Sequence, residues 1–406
     1  MLYPVGLTAQ QPLSLDDARR EAQRTNAQLP VSALGIRIAH ADVRELQASR
    51  WPRLSIESDV NLGGPLAYTT SQGALQVVGV DALLTGGLRR ANLIAANYRE
   101  HAAGAGFRLA EKDVDLAVRL RFSDFLAAEA EIAVRQQGID RLQNYLSQIE
   151  ARRTAGQPVG SDVLTTQVRI GTEEATLQEA QRALDAARLQ LNQLLGRDPA
   201  DPLTLVPLPP PAPPASAADT AWRSSPEVRL AAANSGAIEA GITATRAERR
   251  PQLSVAANVG VLPVFAASNA GTGPNGGTGF GAAVLFSLSW PFLDGGAYQA
   301  RLDRALLQAQ QARDLELVVQ QQTRLAWRLA VSERSRLYRQ VQTWARNVPL
   351  ARDAYLQTRS MYGGGAATAL EVLDAYAAWI NASTSYQGAV LRYRQAEANA
   401  LRWGTP

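Results

Sequence analysis

One short unit occurs twice in this chain, and the repetition limits what the chain can fold into more than any other feature. Ser289-Trp290-Pro291-Phe292-Leu293-Asp294-Gly295-Gly296 stands between a strand-like alternation and a very long helical pattern, Ala297 to about Ser360. Asp81-Ala82-Leu83-Leu84-Thr85-Gly86-Gly87-Leu88 stands in the same place in the first half. The pairs Gly86–Gly87 and Gly295–Gly296 therefore read as hinges between a short strand and a long helix. Gly86 and Gly295 are 209 residues apart, and so are Gly156 and Gly365. Asp162-Val163-Leu164 and Glu371-Val372-Leu373 keep the same offset of 209. Upstream, Arg53-Leu54-Ser55 and Gln252-Leu253-Ser254 are 199 apart, so ten extra residues lie between the two strands of the second half, where Pro263 to Gly279 is Gly-rich. Loops absorb insertions and packed elements do not, so this spacing is that of a duplicated fold.

Two structural repeats follow, 1–206 and 218–406, joined by a proline-rich linker at 207–217 that reads as extended. The first opens with a helix capped by Ser14, with Asp16 and Asp17 in its first turn, running to about Ser49 and broken by Trp51-Pro52. Strands are predicted at about 53–62 and 74–84, a long helix at about 88–153 and a further helix at about 161–195. Ser161 and Asp162 cap that last helix, and Gly196 and Asp198-Pro199 stop it. The second repeat is predicted to hold a helix at about 218–248, strands at about 252–262 and 280–290, a long helix at about 297–360 and a helix at about 370–403.

The periodicities differ by segment. Leu54, Ile56, Val60 and Leu62 alternate with Ser55, Glu57, Asp59 and Asn61, as in a strand with unlike surroundings on its two faces. In the first long helix, Val114, Val118, Phe122, Phe125, Ile132, Ile139, Leu142, Leu146 and Ile149 form a stripe of period 3.5, the spacing of a left-handed coiled coil. At 1.5 Å per residue such a helix is roughly 100 Å long. It needs partners of similar length.

Composition removes several function classes. Aromatic residues are 6% of the chain, which favours long helices over compact α/β layers. The net charge of +4 includes no basic block of the kind that binds nucleic acid. Without cysteine there is no disulfide, thiolate metal site or lipidated N-terminal Cys on the chain as given. His40 and His101 are the only histidines, and no catalytic triad order, metal spacing or phosphate loop accompanies them. Neither an enzyme nor a cofactor or metal site is expected. No apolar run reaches the roughly 18 residues of a membrane-spanning helix. Met1 to Gln11 does not read as a signal peptide, so export of the chain would require a signal that the given sequence does not show.

Four strands of nine to eleven residues have the length of transmembrane β-strands, yet four cannot close a barrel and an open edge cannot stand in lipid. If they span a membrane, several chains contribute, with Glu57, Asp59 and Asn61 lining water. Trp51 and Trp290, at the helix-proximal strand ends, would form part of an interfacial aromatic girdle. The alternative is a soluble coiled-coil scaffold or tethering protein with hairpins packed on helices.

The ordered set of motifs resembles the TolC family of outer-membrane efflux proteins. It comprises Leu293-Asp294-Gly295-Gly296 (Leu84-Thr85-Gly86-Gly87 in the first half), Tyr362 and Gly365 followed by Glu371-Val372-Leu373-Asp374, and Gly156 followed by Asp162-Val163-Leu164. The resemblance implies a mainly α, duplicated fold and a homotrimer. Its twelve-stranded β-barrel would take four strands from each chain and continue into a twelve-helix α-barrel across the periplasm of a Gram-negative bacterium. It also implies a passive exit duct in outer-membrane lipid, joined through a periplasmic adaptor (a membrane fusion protein) to an inner-membrane pump of the RND or ABC type. On this resemblance Ala155, Gly156, Gln157, Gly364, Gly365 and Ala366 fall on adaptor-docking turns. Glu371 and Asp374 would form acidic rings at the narrow end, and Tyr362 and Asp162 would hold it closed. The family's best-known version adds an arginine where this chain has Ala367, so the latch is expected to be weaker here or made elsewhere.

Overall fold

The computed structural model describes residues 12–51, 53–61, 70–80, 82–156, 160–215, 220–264 and 277–403. In chain order the elements are α1 (Leu15–Thr25), α2 (Gln28–Ala48), β1 (Arg53–Asn61), β2 (Thr70–Val80), α3 (Ala82–Thr154) and α4 (Gly160–Leu195). There follow α5 (Pro226–Glu248), β3 (Gln252–Val264), β4 (Gly277–Ser289), α6 (Ala297–Gly363) and α7 (Ala369–Trp403). No described helix is long and apolar enough to cross a membrane. The chain forms two compact units, and neither is a sequence repeat. One comprises 1–32, 107–228 and 320–406; the other comprises 33–106 and 229–319.

In the first unit, α3 buries the predicted stripe. Val114, Val118, Phe122 and Phe125 pack with Ala18 and Ala22 of α1 and with Ala187, Leu191 and Leu195 of α4. Farther along, Leu142 and Ile149 join Tyr355 of α6 and Tyr376, Trp379 and Ile380 of α7. Of the nine stripe residues, Ile132 and Leu146 are half-buried and the rest are buried. One charged group lies in this packing. Glu173 is 3% exposed and is met by Arg135 at 3.0 Å and Arg169 at 3.2 Å, as a buried carboxylate requires.

Ser14 caps α1 as expected, accepting the Asp17 N–H at 3.2 Å. The single helix predicted to about Ser49 is instead two, broken at Asn26. Thr25 Oγ1 donates to the Leu195 carbonyl at 2.5 Å and Asn26 Nδ2 to the Leu194 carbonyl at 3.2 Å. Asn26 Oδ1 also accepts the Gln28 N–H at 2.9 Å, which starts α2. The break thus serves the otherwise orphaned carbonyls at the end of α4. The helix predicted from about 218 starts at Pro226, after a 3-10 turn at Ala221–Ser224. Ser225 accepts the Val228 N–H at 3.4 Å and proline occupies the first helical position, a favoured start. The linker has no regular structure between Val206 and Ala215. Arg394 donates to the Pro209 carbonyl, Tyr393 to that of Ala212 at 2.6 Å and Arg334 to that of Ala215 at 2.6 Å.

The second unit holds the sheet, antiparallel throughout, in the order β1-β2-β3-β4. Its register places Leu54, Val77, Ala257 and Val284 in one row across the four strands. The neighbouring row of opposite parity is Ser55, Gln76, Asn258 and Ala283. The weak alternation of β2 thus resolves into rows once strands are paired. β2 begins and ends about four residues before the predicted span. Against β2's helix, α3, lies α5. A Cβ on Gly236 of α5 would stand 2.6 Å from the Tyr98 ring, so the small residue permits that approach.

Candidate functional site: the interhelical turns and the strand surface

The two turns that follow the long helices use one device. After α6, the Ala366 N–H reaches the Met361 carbonyl at 2.9 Å and the Gly365 N–H reaches that of Tyr362 at 3.1 Å. This double closure requires the left-handed backbone that Gly365 supplies, with φ of 77°. After α3, Gly156 has φ of 85° and its N–H reaches the Arg153 carbonyl at 3.0 Å. A Cβ at either glycine would meet nothing within 4 Å, so backbone angle and not space selects glycine there. Ala155, Gly156, Gly364, Gly365 and Ala366 are exposed, and Gln157 lies outside the described residues.

Between these turns the structure brings Tyr362 and Asp162 together. Tyr362, buried in the last turn of α6, donates its hydroxyl to Asp162 Oδ2 at 3.0 Å, across to the first turn of α4. Burial, and after it the bond to Asp162, push the Tyr362 hydroxyl above its ordinary pKa. It therefore stays protonated, as a donor to a carboxylate must. The residue that sequence reasoning missed is Arg152, at the end of α3. Its guanidinium lies 4.7 Å over the Tyr362 ring and donates to the carbonyls of Tyr362 at 3.1 Å and Gly363 at 2.7 Å. Those carbonyls end α6, where a cation is also favoured by the helix dipole. Position 367 is alanine, and Arg152 places a guanidinium against Tyr362 from another helix. Its signal in the sequence, a basic residue in a last helical turn, says nothing of a partner 210 residues away. Tyr145 completes the cluster, edge-on to Tyr362 with ring centroids 5.5 Å apart. Its buried hydroxyl has no hydrogen-bond partner among the described residues. Burial first, then Tyr362 and Asp162, raise its pKa.

The two expected ring acids behave differently. Glu371 accepts the Thr368 N–H at 2.7 Å, and its own N–H reaches Thr368 Oγ1 at 3.3 Å. This is a capping box at the start of α7. The bond from the Thr368 backbone, then that from its side chain, hold the Glu371 carboxyl below the usual range. Asp374 is exposed and makes no hydrogen bond or ion pair among the described residues.

At the sheet, the two expected hinges separate. Gly295 and Gly296 both have positive φ, 64° and 90°, and α6 begins directly after them. Asp294 accepts the Tyr298 N–H at 2.6 Å and so caps that helix. Gly86 and Gly87 are not a hinge, because α3 starts at Ala82 and runs through both. At Gly87 the constraint is packing: a Cβ would stand 2.8 Å from the Arg250 guanidinium and 3.7 Å from Ala247 of α5. Trp51 and Trp290 are exposed, as are Val284, Phe286 and Leu288 at alternate positions of β4. Phe286 is 73% exposed, and none of the described residues covers it. Glu57, Asp59 and Asn61 lie on β1 in the rows of Ala74, Gln72 and Thr70, and their side chains lie outside the described set.

Residues 217–402 match the family model described as outer membrane efflux protein. No curated protein matches the chain in sequence. Solved structures share its fold. CusC, from a study of folding and transmembrane channel formation, is 20% identical, with a TM-score of 0.82 over 98% of this chain and 96% of that one. The outer membrane protein VceC of Vibrio cholerae is 17% identical, with a TM-score of 0.81 over 96% and 95%. The outer membrane channel MtrE of Neisseria gonorrhoeae, in its open state, is 19% identical, with a TM-score of 0.80 over 96% and 88%. Residues 217–402 of this chain thus carry the outer membrane efflux protein signature, and the chain over 96–98% of its length shares the fold of these channel structures.

Proposed function

We infer that this chain is the outer-membrane exit duct of an efflux system, and that three copies close it. One observation carries the closure: the four-stranded sheet has β1 and β4 as its edge strands, and among the described residues nothing pairs with the outer edge of either. Unpaired backbone groups are excluded from hydrocarbon, so a spanning sheet needs further strands. Three copies supply twelve, a size within the range of closed membrane barrels. The exposed row Val284, Phe286 and Leu288 suits a lipid-facing surface. The polar sequence positions Glu57, Asp59 and Asn61, on rows of opposite parity, suit the lumen. In this reading Tyr362, Asp162 and Arg152 hold the helical end closed. Asp374, and in part Glu371, line it with negative charge.

The exposed glycine turns at Ala155–Gly156 and Gly364–Ala366 suit docking of a periplasmic adaptor, and Gln157 follows the first of them in sequence. The duct itself is passive. An inner-membrane pump of the RND or ABC type would drive it through the adaptor. Electron microscopy of the detergent-extracted protein tests the closure. A hollow threefold particle with a long helical tube is expected. A monomer that fractionates without detergent would overturn the duct and favour a soluble scaffold.

A further inference from the structure

The sheet's register brings Arg53, Val80, Gln252 and Ser289 to one end, so four chain segments meet there. Across 45–53, 81–90, 246–251 and 290–304 these segments hold nine arginines against five carboxylates. That excess of four equals the excess of the whole chain, so the remaining sequence is neutral on balance. Two of the carboxylates are already engaged, Glu248 and Asp294, by Arg301 at 3.5 and 3.4 Å. Arg90, Arg246, Arg249, Arg250 and Arg304 are exposed and form no ion pair among the described residues. Beside these cations stand exposed apolar groups: Trp51, Trp290, Phe292 and Leu293, the last 84% exposed. Two guanidiniums lie over rings of the same region, Arg50 over Trp51 at 5.2 Å and Arg249 over Tyr298 at 5.1 Å.

Unpaired arginine interleaved with exposed aromatic residues, in a collar at one end of a spanning sheet, matches the chemistry of a lipid headgroup layer. The rings and Leu293 suit the acyl boundary, and the guanidinium forks suit phosphate oxygens. We propose that this collar binds anionic phospholipid headgroups in the leaflet that faces the helices. The proposal rests on the membrane-spanning reading above. A basic residue near an anionic bilayer surface contributes about fivefold in affinity, and salt screens that contribution.

The test uses the full chain purified in detergent. Phosphatidylglycerol and phosphatidylcholine are titrated onto it, and bound lipid is read by native mass spectrometry. Tighter binding of phosphatidylglycerol by at least tenfold is expected. The triple variant R90Q/R249Q/R304Q should lose at least tenfold of that affinity. A control of equal charge change away from the collar, R182Q/R339Q/R346Q, should retain it. Equal binding of the two lipids, or equal loss in the two triple variants, overturns the proposal. Preference for lipid A over phosphatidylglycerol would overturn the assignment to the helix-facing leaflet. If no hollow trimer forms, the duct reading fails first. If the trimer forms and phosphatidylglycerol selectivity is absent, the collar alone fails.

Discussion

At Tyr362 one hydroxyl proton connects the end of α6 to the start of α4, and the closure proposed for the helical end is expected to depend on it. A hydrogen bond to a charged acceptor contributes about 1.5–3 kcal/mol. Tyr362→Phe and Asp162→Ala should each raise single-channel conductance and sensitivity to large antibiotics, and the double variant should add little, because both remove one interaction. Unchanged conductance in both single variants would sink the latch. Glu371 offers a pH test of a different bond. Its carboxyl is held below the ordinary range by Thr368. A depressed folded pKa stabilises above the unfolded value of about 4.3, and that stability is lost as pH falls through the folded one. The thermal midpoint of Glu371→Ala should therefore lie below that of the parent at neutral pH, with the gap closing below about pH 4. A gap independent of pH would remove the carboxylate from the account. The sequence offered Tyr362, Asp162 and Glu371 through the resemblance of their motifs to the TolC family. It could not offer Arg152 or Tyr145, whose roles arise only where α3 meets α6.

Helices and strands were legible where period and breakers agree, and misread where one element serves another. The 3.5 spacing of α3 found its buried face because a helix's own geometry decides which residues share a side. The break at Asn26 was invisible because its purpose is to satisfy carbonyls of α4, some 170 residues away. The same holds for Gly87, which looked like a hinge and is a point of close approach to α5. A further close approach is at Gly138 of α3. A Cβ there would stand 2.6 Å from the Tyr376 hydroxyl and 3.1 Å from Ile380, both buried. Gly138→Ala gains about 1 kcal/mol of helix propensity and loses about 1–3 kcal/mol to overpacking. Net destabilisation in denaturant or thermal unfolding is expected, and Tyr376→Phe in the same chain should recover part of it. A stabilised Gly138→Ala would mean that α3 and α7 separate easily at this point.

For the molecule as a whole, the proposed duct needs further chains to complete the sheet. Its exposed apolar row on β4 predicts an asymmetry between neighbouring positions. Phe286→Arg should lower the yield of membrane-inserted trimer, because a cation on a lipid-facing strand costs about 2–4 kcal/mol near mid-bilayer. Ser287→Arg, one residue on and of opposite parity, should be tolerated better. Equal yields on fractionation and trimer gels would count against a lipid-facing row. The duplication in the sequence is also not the division of the molecule. Each compact unit draws on both halves, because long helices begin in one unit and end in the other.

The sequence alone determined the order of strands and long helices, the 209-residue offset of its repeated motifs, the buried stripe of α3 and the turn glycines. These follow from local backbone geometry and side-chain period, which a chain carries wherever it folds. The tertiary structure decided the break at Asn26, the packing at Gly87, the arginine supplied by Arg152 and the row-by-row sorting of the sheet. Each depends on groups far apart in the chain arriving within a few ångströms of one another, and spacing along a sequence does not encode that distance.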